Sequence, residues 1–381
     1  MKRVLLFVLC ILMLMGGLAF AGCEAPEEPE EVDPEVVEWP SQAEVVAAID
    51  EVLARHNIDE IGARDDYDHI IEELREVIPR PPCGYPVRTI EYLVPWGEGG
   101  GSDNYARHSG YDAAKIMDQT IIYNSMPGGG GEVALAHLNT MPPDGYTLYG
   151  AIANQTINDA LGVSPHSFTE DFDFVIKNQG ATEIYWVLPD SPFENIHDML
   201  DYAVENPGEL TICGAGVGGD DEFRIASLES ELGTDIIYVP YDAVGERVSS
   251  LLGGHVDVMH ETVGTVIDLY EGGEIRPLAI GGDMRFEDLD PDVPCIGELG
   301  YDVPIGRWRG VMTVGGTDPK IVDYLHNVWY ASTNLPFYKV YEVEFFQHLP
   351  DAYLCTESFK EYAIAEKERV EVLARELGYL E

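Results

Sequence analysis

Ile90-Glu91-Tyr92-Leu93-Val94, continuing into Pro95-Trp96-Gly97-Glu98-Gly99-Gly100-Gly101-Ser102-Asp103, reads as a buried strand, a glycine loop and a helix opening at Ser102. Such a loop leaves several backbone N–H groups without intrahelical acceptors, at the positive end of a helix dipole. That combination is a seat for an anion. Adjacent glycines after a strand can also do no more than turn the chain tightly.

The segments downstream favour the ligand reading. Strand-like Thr120 to Tyr123 runs into Asn124-Ser125-Met126-Pro127-Gly128-Gly129-Gly130-Gly131, a helix follows from Glu132, and Pro143-Asp144-Gly145-Tyr146-Thr147-Leu148 opens a strand that reaches Ala153. Strands alternating with helical patterns argue for an α/β fold with mainly parallel sheets.

These three segments, in this order, resemble the P-[FW]-x-x-G-G-x-x-D, N-x-P-G-x-G-G and P-D-G-Y-T-L pattern of the solute-binding proteins of tripartite tricarboxylate transporters, the TctC or Bug family. The resemblance continues through Val239-Pro240-Tyr241, Leu251-Leu252-Gly253-Gly254-His255-Val256-Asp257 and Trp308-Arg309-Gly310, covering roughly Gly84 to the C-terminus. It implies a type II periplasmic-binding-protein fold of two lobes around a ligand cleft. Residues 84–179 and 305–381 would form lobe 1 and 180–304 lobe 2, with closure as a hinge motion. In lobe 2, Leu210 to Cys213 reads as a strand, Gly214 to Gly219 as a loop and Asp220 to Leu232 as a helix. This repeats the first loop, so two helix N-termini would face one cleft.

The second loop departs from the family. Where members read G-x-G-S-x-x-H, this chain has Gly216-Val217-Gly218-Gly219-Asp220-Asp221-Glu222. The three acids either complement the helix dipole or bind a cationic group such as an amine. The expected ligand contacts are Trp96, Gly99, Gly100, Gly101, Ser102 and Asp103 in the first loop and Gly218, Gly219, Asp220 and Asp221 in the second, with weaker contacts from Asn154, Thr156 and Tyr241. Asp103 would rather shape its loop by accepting amide bonds than touch a carboxylate. Ser102 is a donor to the solute or the N-cap, and Tyr241 contacts the solute or covers the core.

Residues 1–22 have the layout of a signal peptide: Lys2 and Arg3, an apolar run from Val4 to Met15, then Phe20-Ala21-Gly22-Cys23. Cys23 stands where a lipobox places its lipidated cysteine, which predicts a durable anchor. Ordinary cleavage after Ala21 is the alternative. Residues 23–40, dense in Glu and Pro, read as an extended tether. Residues 41–83 read as a helical hairpin outside the family pattern: Ser41-Gln42-Ala43-Glu44 is a capping box, and Val45, Ile49, Val52 and Leu53, then Tyr67, Ile70, Ile71, Leu74 and Val77, form two apolar stripes. The stripes would cover the main body rather than a permease.

Against 69 Asp and Glu stand only 22 Lys and Arg, a net charge of −47 in 381 residues. This field excludes nucleic acid as a partner, disfavours anionic membrane surfaces and opposes the approach of an anionic solute. Cys83, Cys213, Cys295 and Cys355 could pair in an exported chain or stay reduced. No C-x-x-C or His cluster suggests a metal, and His260-Glu261 are adjacent residues that seldom share a site. Neither a nucleophile elbow nor a nucleotide fingerprint occurs, so no cofactor and no catalysis are expected. The reading is an exported, lipid-anchored receptor that captures a small di- or tricarboxylate and delivers it to large and small permease subunits. The alternatives are an amine-bearing solute, and a binding module feeding a membrane sensor.

Overall fold

The computed structural model describes residues 39–181, 183–282, 285, 289–301, 306–347 and 352–380. The expected signal peptide, Cys23 and nearly all of the tether lie outside them. Helices α1 (Gln42–Arg55) and α2 (Asp68–Val77) precede β1 (Ile90–Val94), α3 (Gly101–Met117), β2 (Ile121–Ser125), α4 (Glu132–Leu138), β3 (Thr147–Ile152), α5 (Ala153–Ala160) and β4 (Phe172–Ala181). There follow β5 (Glu183–Val187), α6 (Ile196–Glu205), β6 (Thr211–Ala215), α7 (Asp220–Leu232), β7 (Ile237–Tyr241), α8 (Val244–Leu252), β8 (Val258–Thr262), α9 (Val263–Glu271) and β9 (Arg276–Ile280). The chain ends with β10 (Arg307–Val314), α10 (Pro319–Thr333), α11 (Pro336–Glu344) and α12 (Thr356–Glu376).

The strands form two five-stranded sheets with the orders β2-β1-β3-β10-β4 and β7-β6-β8-β5-β9. Each sheet joins three parallel strands to a fourth position that runs antiparallel to both neighbours: β10 in the first, β5 in the second. The expectation of mainly parallel sheets is therefore corrected to mixed sheets. Apolar spacing reveals which residues form a strand and carries no mark of its direction. The chain passes from the first sheet to the second between β4 and β5, and returns between β9 and β10. Helices cover both faces of the first sheet, where strands β1, β3, β10 and β4 supply residues to two separate cores.

The capping box of α1 is present: Glu44 N–H donates to Ser41 Oγ (3.3 Å) and Ser41 N–H to Glu44 Oε2 (2.9 Å). Val45, Ile49, Val52 and Leu53 of α1, and Ile70, Ile71 and Leu74 of α2, are buried in one core with Ile116 of α3 and Leu325 and Trp329 of α10. The hairpin thus closes over the first sheet's helices, as its apolar stripes require. Tyr67 seals the contact, its hydroxyl donating to the buried Asp112 of α3 (2.9 Å). Tyr67→Phe leaves that carboxylate one donor short, and chemical denaturation should show a loss of about 1–2 kcal/mol. An unchanged midpoint would mean that the hairpin is held by apolar contact alone.

Candidate functional site

Strand β1 ends at Val94, and the loop after it is shaped by one carboxylate. Gly99 takes a positive φ of 74°, open to glycine at no cost, and its N–H donates to Asp103 Oδ2 (2.9 Å). Asp103 Oδ1 accepts from Arg107 Nε (2.9 Å). Gly100, in extended conformation, is the N-cap of α3. The cap is therefore Gly100 rather than Ser102, which lies buried in the first helical turn. The first intrahelical bond runs from Asn104 N–H to Gly100 O (2.9 Å), so the N–H groups of Gly101, Ser102 and Asp103 precede it and are free of the helix ladder.

The loop after β6 repeats this construction. Gly218 has φ 69°, its N–H donates to Glu222 Oε2 (2.7 Å), Gly219 is the N-cap of α7, and the first intrahelical bond is Phe223 N–H to Gly219 O (3.1 Å). In both helices the acid at the third position reaches back to the glycine before the cap. Asp103 and Glu222 thereby fix the backbone that carries the remaining amides. The two loops also lie close together: a Cβ on Gly216 would sit 4.0 Å from Trp96 Cη2, and one on Gly219 would sit 2.8 Å from Asn154 Nδ2, in the first turn of α5.

Asp220 and Asp221 are 2% and 1% exposed and face inward. Asp220 Oδ2 accepts from Arg307 Nε (3.0 Å). Asp221 Oδ1 accepts from Arg307 Nη2 (3.2 Å) and lies 3.0 Å from His260 Nδ1, while its Oδ2 accepts from Ala215 N–H (2.7 Å). Burial alone would raise the Asp221 carboxyl, but the Arg307 charge, with the bonds from His260 and the Ala215 amide, outweighs it and holds the group well below the ordinary carboxylate range. Arg307 also contacts Glu183, which pairs with Arg224 at 2.7 Å. Carboxylate and imidazole atoms of Glu183, Asp221 and His260 all lie within 4.8 Å of one another, a ligand-like cluster that adjacency of His260 and Glu261 did not suggest. Two guanidinium groups already serve these carboxylates, which makes the cluster an ion-pair network and a poor host for a further cation.

Of the weaker expected contacts, Thr156 is fully buried and donates to Glu366 Oε2 (2.8 Å), a bond that fastens α5 to α12. The Tyr241 hydroxyl pairs with Ser250 Oγ (3.1 Å), and its carbonyl accepts from Arg247 Nη1 (2.9 Å). All four described cysteines are free thiols. A cavity of about 530 Å³, lined by Gln42, Asp173, Pro319, Thr356 and neighbours, is a seam beside the N-terminal hairpin that includes no residue of either glycine loop.

Residues 105–348 match the family described as tripartite tricarboxylate transporter family receptor, TctC. The chain belongs to this family. The match begins just after the first glycine loop, so that loop rests on the geometry above. A UPF0065 protein of Cupriavidus necator is 27% identical over 77% of this receptor and 89% of its own length. Two solved Rhodopseudomonas palustris proteins share the receptor's fold. MatC, with bound malate, has a TM-score of 0.66 at 22% identity, over 76% of this chain and 99% of that one. Rpa4515, with adipate, has a TM-score of 0.68 at 24% identity, over 77% and 98%. No helix among the described residues of the receptor is long and apolar enough to cross a membrane.

Proposed function

We propose that this receptor captures a small dicarboxylate or tricarboxylate between two lobes, residues 84–179 with 305–381 and residues 180–304, and delivers it to membrane permease subunits. One observation carries the reading: two glycine-capped helix N-termini, at Gly100 and Gly219, lie on adjoining loops with their first amides clear of the helix ladder. Oriented N–H groups of this kind favour negative charge and need no rearrangement to receive it. Malate in MatC and adipate in Rpa4515 support the same solute class. The amine alternative loses its motive, because the oxygens of Asp220 and Asp221 are engaged by Arg307, His260 and the Ala215 amide. Export and lipid anchoring at Cys23 complete the proposal.

The test is a thermal-shift screen of the chain lacking the first 23 residues, in high salt to relieve its negative field. At a hundredfold excess over Kd, a ligand stabilises by about 2.7 kcal/mol, a shift of a few degrees. Malate, adipate or a tricarboxylate should give that shift, and amino acids and polyamines should not. A response confined to amine-bearing solutes, or turnover of the added solute, would overturn the proposal.

A further inference from the structure

We propose that Arg309 is the charge anchor of the solute site, a buried guanidinium whose counter-ion is the solute carboxylate seated at the N-terminus of α3. This rests on the reading of the protein as a carboxylate receptor and adds the side chain that selects the carboxylate.

In a chain with about three acids for every cation, Arg309 makes no ion pair among the described residues, and Glu183 pulls on it only from a distance. It is 7% exposed, and its hydrogen bonds go to two neutral amides, Gln179 Oε1 (2.6 Å) and Gln347 Oε1 (3.3 Å), both from Nη1. Its Nε is buried without a partner. Arg307, two residues earlier on the same strand, contacts three carboxylates. The nearby phenols Tyr338 and Tyr341 supply no charge, since burial raises both and keeps them protonated at neutral pH. Burial also draws the Arg309 guanidinium down from its ordinary value.

The guanidinium lies against the first residue of α3. A Cβ on Gly101 would overlap Arg309 Nη2 and stand 3.3 Å from Cζ. Two positive features therefore converge at one point, the amide end of a 17-residue helix and a cation without an ion-pair partner among the described residues. The acid closest in sequence, Asp103, has both oxygens committed to Gly99 and Arg107. A buried charge without a partner is costly to keep, and a carboxylate arriving at the α3 N-terminus removes that cost. The solute so selected has an ionised carboxyl group rather than an amide or hydroxyl at this end.

Isothermal titration of the chain lacking residues 1–23 with adipate and with its neutral diamide, adipamide, separates the roles. For Arg309→Gln, adipate affinity should fall about 100-fold, as for loss of a desolvated charge pair, while adipamide affinity changes less than about threefold. Equal losses for both ligands would make Arg309 a scaffold residue, and an unchanged adipate affinity would remove it from the site. Either result overturns the inference and leaves the carboxylate reading standing. Wild-type protein that binds no dicarboxylate overturns both. Should Arg309→Gln not fold, Arg309→Lys keeps a cation at this place without the guanidinium fork. It should weaken adipate at least about tenfold and adipamide less, and equal weakening of the two again overturns the inference.

Discussion

Arg307→Met should destabilise the protein by about 3–5 kcal/mol, the range for removing one partner of a buried ion pair. Arg307 touches Glu183, Asp220 and Asp221, all at most 2% exposed. Glu183 would retain Arg224 and Asp221 would retain His260, but Asp220 would lose the ion pair that neutralises it. Burial tends to lower the Arg307 guanidinium, and the three carboxylates hold it well above its ordinary value instead. Urea unfolding at neutral pH measures the loss. Asp220→Asn combined with Arg307→Met should recover part of it, since an orphaned charge costs more than an absent pair. A single-variant loss below about 1 kcal/mol would show that water replaces the guanidinium and that the network is no stabilising element.

The effect of Glu366→Gln on stability should depend strongly on pH. Glu366, on α12, is 4% exposed and accepts bonds from Trp308 Nε1 (2.8 Å), Thr156 Oγ1 (2.8 Å) and the Tyr362 hydroxyl (3.1 Å). Burial pushes its carboxyl up to about 7, against the opposing pull of those bonds and of Lys177. A raised folded-state value means that the acid's contribution is complete below its unfolded value near 4.5 and is lost as pH climbs through 7. The shift corresponds to about 3 kcal/mol. Stability of wild type relative to Glu366→Gln should therefore fall by that order between pH 4.5 and 8, as read from paired denaturation curves. A difference independent of pH would mean that Glu366 is ionised throughout, with Lys177 as its counter-charge.

Local chemistry made much of this fold legible. Ile90–Val94 and Asp220–Leu232 occur with the predicted bounds because an apolar run and a glycine-to-acid boundary are short-range signals. The capping box at Ser41 and the two stripes of the hairpin are equally local. Strand direction was not legible, since β5 and β10 are set by where the chain crosses between sheets. Nor was the fate of Asp220 and Asp221: their partner Arg307 lies 87 and 86 residues away, and both readings of the acids placed them toward solvent or solute. Arg309 stood in the quoted Trp308-Arg309-Gly310 without being singled out. A signal was there, two arginines two residues apart in an otherwise largely apolar strand of a strongly acidic chain.

The described residues that flank the two crossings between sheets meet at one point. Arg307 pairs with Ala181 in the ladder of β10 and β4, next to the point where the chain leaves for β5, and its guanidinium reaches Glu183 just beyond. The same guanidinium therefore belongs to both sheets: a side chain rooted in the first neutralises acids of the second, and any change in the spacing of the two sheets at this point has to stretch or break an ion pair.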